Sequence, residues 1–168
     1  MLAKNKGFTL IELVAVILIL GVLSVSALPK FISLNKDAYK AVLEQVSVSV
    51  KSANDLLALK SKVPSYSVKP VAGRSDLIDI DMDLDGTFDI TNGVDVRLKH
   101  NYLDNTHIHL MIEKSQELVI AEQGADLTYI GYDLDNSGSP INDNCYFLYT
   151  QAVTAGGKPK YDVNTDGC

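Results

Sequence analysis

The chain has 168 residues, of which 46% are hydrophobic, so it can bury one core and is neither collagen-like nor wholly disordered. Its net charge of −6 argues against nucleic acid as the main partner of the whole surface, because phosphate binding needs concentrated Lys and Arg. The charge is unevenly spread, with eight basic and three acidic residues over 30–74 but five basic and seventeen acidic residues over 76–166.

A short basic segment precedes a long apolar stretch at the N-terminus. Residues 1–7 include two lysines, and residues 8–28 carry one charged side chain, that of Glu12. As a helix, residues 8–28 would span about 31 Å, which matches the hydrocarbon core of a bilayer. The pattern predicts a leader peptide over 1–7 and a membrane-spanning helix over 8–29.

Three other interpretations compete for this segment: a secretory signal peptide ending near Val25-Ser26-Ala27, a plain signal anchor, and a buried core helix. Uniform apolarity over this length argues against a core helix. Neither kind of signal explains Glu12, because a carboxylate at the centre of a membrane helix costs on the order of 3 kcal/mol unless it is paired. Glu12 therefore predicts a partner charge.

The junction Gly7-Phe8-Thr9-Leu10-Ile11-Glu12 resembles the type IV prepilin signature. The resemblance implies that a prepilin peptidase cuts between Gly7 and Phe8 and methylates the new amine of Phe8. In a filament, Glu12 of a neighbouring subunit would neutralise that amine. Gly21 and Pro29 fall where the family places a helix-weakening glycine and a kinking proline, and a bend or a locally melted turn is expected between them.

A finer resemblance lies just after this junction. The segment Ala27-Leu28-Pro29-Lys30-Phe31, with Leu34 and Asp37-Ala38, is similar to the mannose-sensitive haemagglutinin class of type IVa pilins. It implies a structural subunit of a pilus that supports surface attachment. The precursor would lie in the inner membrane and the product in an extracellular filament. The implied partners are the prepilin peptidase, identical or related pilin subunits, the pilus assembly machinery, and surfaces or host glycans.

An amphipathic helix is predicted to continue over 30–63, where apolar residues recur in steps of three and four until Pro64. One face of this helix includes Val42, Val46, Val50 and the pair Leu56-Leu57. Beyond it, residues 64–168 alternate short β-branched and aromatic runs with turn residues, which predicts a β-rich head. The expected fold is therefore α+β, with a protruding N-terminal helix whose C-terminal half packs on a small antiparallel sheet. The predicted strands are residues 77–80, 94–98, 108–112, 118–121, 127–132 and 146–153.

The two cysteines, Cys145 and Cys168, are weak evidence for a disulfide, because buried free thiols are common in cytosolic proteins. Export to an oxidising compartment would make a disulfide the default. In the pilin family a C-terminal region bounded by a disulfide helps to form the exposed surface of the head, and Cys145 and Cys168 lie at the corresponding place.

An acidic segment in the head has the spacing of a calcium loop. Asp81, Asp83, Asp85 and Asp89 follow the D-x-D-x-D-G-x-x-D pattern, and the carbonyl of Thr87 would complete the turn. A calcium-clipped hairpin is predicted. The alternative is a solvated Asp-Gly hairpin, because the last ligand position holds Asn92 instead of Glu. In a second acidic loop, which begins at Asp133, Asp135 and Asn136, a simple turn is favoured.

No catalytic arrangement is evident, and the chain is predicted not to be an enzyme. His107 and His109 are expected on one face of a strand, where a surface pair is favoured over half of a metal site. Two other functions compete with a pilus subunit: a type II secretion pseudopilin, and a secreted calcium-binding module with an ordinary signal peptide.

Overall fold

The computed structural model describes residues 7–110, 112 and 117–168, and for residues 28, 29 and 31–33 it describes the backbone alone. The predicted leader therefore lies outside the described residues except for Gly7. The chain divides between Ala38 and Tyr39 into two compact units. A single helix, α1, runs from Leu10 to Lys60 and contributes to both units.

The first unit contains the apolar part of α1. The segment Leu10–Ala27 has a mean hydropathy of 2.6 over 18 residues, and none of it is buried. By length and composition it could cross a membrane, although a signal sequence near an N-terminus has the same properties. The helix continues without interruption through Gly21 and Pro29, so the locally melted turn expected there is absent. A helix that is apolar all round needs an apolar environment supplied from outside this unit.

The second unit contains the rest of α1 and two four-stranded antiparallel sheets. The first sheet has the order β1-β2-β3-β4 and the second has the order β5-β6-β7-β8. The strands of the first sheet are β1 (Val68–Val71), β2 (Arg74–Ile80), β3 (Val96–Lys99) and β4 (Tyr102–Leu103). Those of the second are β5 (Leu118–Gln123), β6 (Leu127–Tyr132), β7 (Tyr146–Thr150) and β8 (Lys160–Asn164). Two short 3-10 helices, Ile90–Asn92 and Asn105–Leu110, interrupt the connections.

One face of α1 packs in the core that both sheets share. Its buried residues recur in steps of three and four, which is the helical period of a single face: Leu43, Val46, Val50, Asn54 and Leu57. The same core takes in Ile80, Val96 and Leu98 from the first sheet and Ile130, Phe147 and Tyr149 from the second. Val46, Val50 and Leu57 of the predicted face are buried, whereas Val42 is 36% exposed and Leu56 is 52% exposed.

A buried polar network ties α1 to both sheets at Asn54, which is fully buried. Its Oδ1 accepts a hydrogen bond from the Leu103 amide at 2.6 Å, and its Nδ2 donates to the Tyr161 hydroxyl at 2.8 Å. The Tyr149 hydroxyl lies 3.4 Å from Nδ2 and donates to the Leu103 carbonyl at 2.8 Å. Burial raises the pKa of both tyrosines, that of Tyr161 to about 12, so both hydroxyls remain donors at neutral pH.

The α+β class and the packing of the helix on antiparallel strands are confirmed. The expectation of one small sheet was wrong, because the strands form two sheets. The strand expected over 108–112 was also wrong, because Asn105–Leu110 is a 3-10 helix. Its first turn is fixed by Asp104, whose Oδ1 accepts hydrogen bonds from the amide and hydroxyl of Thr106 at 3.2 and 2.5 Å.

Candidate functional site

The start of α1 is closed by a reciprocal pair of side chains. Oε2 of Glu12 accepts hydrogen bonds from the amide and the hydroxyl of Thr9, at 2.8 and 2.6 Å. In return, the Glu12 amide donates to Oγ1 of Thr9 at 3.3 Å. This is a capping box, which satisfies donors that a helix N-terminus otherwise leaves free. The Thr-x-x-Glu spacing could have revealed it in the sequence.

The predicted cleavage point lies directly before this cap. Gly7 and Phe8 precede the first helical residue, and Phe8 is 77% exposed. The bond between them is therefore outside the helical hydrogen-bond ladder, as a peptidase substrate requires. Glu12 follows within one helical turn, so a charged amine created at Phe8 would lie close to a carboxylate of the same chain.

The two cysteines are joined in a disulfide, with their Cα atoms 4.9 Å apart. Both are buried, and the closed loop contains β7 and β8. Beside the bridge, the Gly167 amide donates to the Asn144 carbonyl at 3.1 Å. A Cβ at position 167 would overlap the Asp143 carbonyl, so only glycine fits there. The end of the chain is thus held against the loop that contains Asp143.

The first acidic loop brings three carboxylates together. Ligand atoms of Asp81, Asp83 and Asp95 lie within 4.8 Å of one another. Asp81 and Asp95 are each 1% exposed, and their oxygens accept hydrogen bonds from backbone amides of the loop. Partial desolvation, together with the nearby Asp85 and Asp95, raises the pKa of Asp83. A hard cation with oxygen ligands would relieve this repulsion, and calcium binding here stays a prediction.

Only two of the five predicted metal residues belong to this group. Asp85 lies outside it, because its Oδ1 accepts hydrogen bonds from the amide and hydroxyl of Thr87 at 2.7 and 2.8 Å. Asp89 also lies outside it, and its amide donates to Oδ2 of Asp95 at 2.6 Å. Asp95 was missed, because it lies beyond the end of the calcium-loop pattern and joins the group only through the fold. The loop is therefore not arranged as the pattern predicts.

The second acidic loop repeats the hydrogen bonds of the first. In each loop an aspartate accepts a hydrogen bond from the amide of the glycine five residues later. The distance is 2.8 Å from Gly138 to Asp133 and 3.0 Å from Gly86 to Asp81. Asp143 accepts from the Leu134 amide at 2.9 Å, as Asp95 accepts from Met82 at 2.8 Å. Ligand atoms of Asp133, Asp135 and Asp143 also lie within 4.8 Å of one another. One turn structure thus follows both β2 and β6.

The expected pairing of the histidines on a strand face was wrong. His107 and His109 lie in the 3-10 helix Asn105–Leu110, in which residues two apart point in different directions. His107 is buried and its Nδ1 is 2.8 Å from the Thr106 hydroxyl, whereas His109 is exposed. The pair offers no shared face for a metal.

Comparison with known proteins bears on the N-terminal segment. Residues 2–28 match the family of the prokaryotic N-terminal methylation motif. A stretch of 59 residues is 40% identical to the "Type IV narrow pilus major component PilA5" of Thermus thermophilus. Both matches support a type IV pilin. The match to the Thermus protein covers 35% of this chain, and the chain spans about half the length of that relative. No solved structure matches the chain, and the mannose-sensitive haemagglutinin subclass stays a prediction.

Proposed function

We propose that this chain is a structural subunit of a type IV pilus, cleaved after Gly7 and polymerised through the apolar part of α1. The observation that carries the proposal is the methylation motif over residues 2–28, which contains the apolar segment Leu10–Ala27, none of which is buried. Such a surface is stable in a membrane before assembly and among identical helices after it. The role is structural rather than enzymatic.

Each step from precursor to filament implies a partner for this chain. A prepilin peptidase would cut and methylate the precursor in the inner membrane, and assembly machinery would move it into an extracellular filament. Attachment to surfaces or host glycans, with the head exposed on the filament, is part of the proposal. Calcium in the first acidic loop stays a separate prediction.

Electron microscopy of fibres sheared from cells that carry the chain, with mass spectrometry of their subunits, tests the proposal directly. We expect this chain in the fibres and no fibres of that kind after its deletion. If the chain stays in the cell envelope and its deletion blocks protein secretion, the pseudopilin alternative replaces the pilus. If it is found only as a soluble secreted protein, both filament functions fail.

The capping box complicates the role proposed for Glu12, because removing its side chain removes a helix cap and a charge together. Glu12→Gln separates the two, since glutamine at this position also completes a capping box but carries no charge. We expect Glu12→Gln to reach the membrane at the normal level and to lower the number of fibres at least tenfold.

Thr9→Ala is the matched control, because it removes the cap and keeps the carboxylate. We expect this variant to retain most of its fibres. Normal piliation by Glu12→Gln, with loss of fibres in Thr9→Ala, would assign Glu12 to capping and remove its proposed pairing with the amine of Phe8.

A further inference from the structure

The tip of the first acidic loop exposes an apolar side chain in a strained conformation. Leu84 has φ of 65° and is 54% exposed. Leucine is uncommon in this left-handed region, which Gly and Asn enter at lower cost. An observed outlier of this kind supports a hypothesis of function, because neither the backbone nor the core requires leucine here. The exposed carboxylates of Asp83 and Asp85 flank it.

Asp85 is exposed, and the loop binds only one of its two carboxylate oxygens. Its Oδ1 receives both hydrogen bonds from Thr87, and the described residues donate none to its Oδ2. The loop tip of residues 83–85 is thus an apolar side chain between two carboxylates, and we name it the acidic peg.

A cleft elsewhere in the same unit has the opposite character. It measures about 320 Å³ and is lined by Lys51 and Asp55 of α1, Tyr102 of β4, Tyr161 of β8, and the preceding Lys158 and Pro159. The two tyrosines and the proline supply apolar surface. Neither lysine is ion-paired with any residue that the structure describes. With two lysines and one aspartate, this lysine cleft is basic.

We infer that the acidic peg of one copy of this chain docks in the lysine cleft of another. Leu84 would enter between the tyrosines and the proline, and the Asp85 carboxylate would meet a lysine. The charges are complementary, and both surfaces are presented by every copy. A second copy of the chain already carries an apolar side chain next to carboxylates. A partner of different sequence would need the same arrangement of groups.

The two surfaces share no residue, so each copy could use both at once. An interface between different patches of identical subunits is heterologous, and it propagates without limit unless it closes into a ring. The inference rests on the proposed function in the sense that both require self-assembly. It adds a contact between heads to the contact between apolar helices.

The first test replaces the strained leucine by a residue that the backbone prefers. Leu84→Asn retains φ of 65° with less strain and removes the apolar side chain, so the head should be folded at least as stably. We expect the full chain to reach the membrane normally and to give at least tenfold fewer fibres. Leu134→Asn is the control for removing an exposed leucine from an acidic loop, because Leu134 is 43% exposed in the second acidic loop and should leave the fibre count unchanged.

The second test reverses charges in the full chain. Asp85→Lys alone, and Lys51→Asp with Lys158→Asp, should each lower the fibre count. Two double variants combine Asp85→Lys with Lys51→Asp or with Lys158→Asp. One of them should restore the fibre count, and it identifies the lysine that faces Asp85. Lys160→Asp is the control, because Lys160 is exposed on β8 but does not line the cleft.

The outcomes separate this contact from the proposed function. If the unmodified chain forms no fibres, the proposed function fails. Suppose instead that the unmodified chain forms fibres, and that the Leu84→Asn and charge-reversal variants form them equally well. The proposed function then stands, and the docking of the acidic peg in the lysine cleft is wrong. If the lysine variants form normal fibres but lose attachment to an acidic polysaccharide, the cleft binds an acidic sugar and the docking is again wrong.

Discussion

At the scale of single residues, Asn54 decides how α1 is held against the sheets. Its amide satisfies the buried Leu103 amide and the Tyr161 hydroxyl, groups that lie in β4 and β8. A buried amide that serves both sheets fixes the rotation of the helix more strictly than apolar contacts do, because its hydrogen bonds have directions. A shift of α1 by one residue would leave several buried polar groups without partners.

Asn54→Ala is predicted to destabilise the second unit by about 3 kcal/mol, because it leaves a buried amide without an acceptor. Urea unfolding of the full chain in detergent, followed by the near-ultraviolet circular dichroism of the tyrosines, measures this loss. Ser52→Ala, at an exposed position on the same helix, should change the unfolding free energy by no more than about 0.5 kcal/mol. Equal midpoints for the two variants would show that the network adds nothing.

The same network is predicted to make the head sensitive to alkali. Burial raises the pKa of Tyr161 to about 12 and also raises that of Tyr149, whereas unfolded tyrosines titrate near about 10. The folded state therefore holds protons that the unfolded state releases, and stability is complete below about pH 10 and falls as the pH rises towards 12. Each tyrosine contributes up to about 1.4 kcal/mol per pH unit.

Melting temperatures measured from neutral to alkaline pH check this dependence. Tyr161→Phe removes one of the two titrating groups, so its melting temperature should fall less steeply above about pH 10. Tyrosinate absorbance of the folded chain, recorded in parallel, should show that Tyr149 and Tyr161 ionise at a higher pH than exposed tyrosines do. Parallel curves for the variant and the unmodified chain would assign the alkaline loss to other groups.

Sequence patterns found the residues whose role depends on local spacing and missed those whose role depends on the fold. Gly7, Phe8 and Glu12 stand in one short motif, so their resemblance to a processing site could be recognised. Asp95 reaches Asp81 only because β2 pairs with β3, and no spacing rule includes it. Asn54 is polar on an otherwise apolar face, and nothing in the sequence reveals the two hydroxyls and the amide that it meets.

At the scale of elements, the two acidic loops are the same turn at the ends of β2 and β6. In the first, calcium binding is predicted at Asp81, Asp83 and Asp95. At a calcium concentration a hundred times the dissociation constant, the unfolding free energy would rise by about 2.7 kcal/mol. Magnesium should stabilise much less, because it dehydrates reluctantly and demands an octahedral site.

Thermal unfolding of the full chain in detergent, with calcium, magnesium or chelator, measures this effect. Asp95→Asn should abolish most of the calcium shift, because it removes one of the three carboxylates of the group. Asp89→Asn should keep the shift, because Asp89 is exposed and lies outside the group. The same midpoint with calcium and with chelator in the unmodified chain would leave the loop as a solvated acidic turn.

Two of the strands that escaped prediction bury little. Strand β1 contains Pro70 and has no buried residue, and β8 is also mostly exposed. Both are edge strands of their sheets, so they lack the alternation of apolar and polar residues that reveals a half-buried strand. The strand predicted around Ile108 has that alternation, but the turn fixed by Asp104 leads the chain into a 3-10 helix instead.

At the scale of the whole molecule, processing should leave a mature chain that begins at Phe8 with a methylated amine. The prediction follows from the methylation motif and from the exposed Gly7–Phe8 bond ahead of the helix cap. Mass spectrometry of the N-terminal peptide of membrane or fibre protein checks it. A chain that began at Leu28 would show signal peptidase cleavage instead, and the filament function would fail with it.

The α+β class could be predicted from the sequence, because hydrophobic periodicity distinguishes the long helix from the strands that follow it. The division into two sheets could not, since it depends on which strands pair, and β4 is only two residues long. The core is common to both sheets, so no composition change along the chain marks the boundary between them.

The disulfide also has a mechanical consequence. In the proposed filament each subunit would bear tension, and a pulled chain lengthens by the contour of whatever unfolds, at about 3.3–3.6 Å per residue. The bridge between Cys145 and Cys168 removes the segment containing β7 and β8 from that contour. The end-to-end length of the fully extended chain should therefore be about 75 Å shorter with the bridge than after its reduction. Single-molecule force spectroscopy with and without reductant can measure this difference.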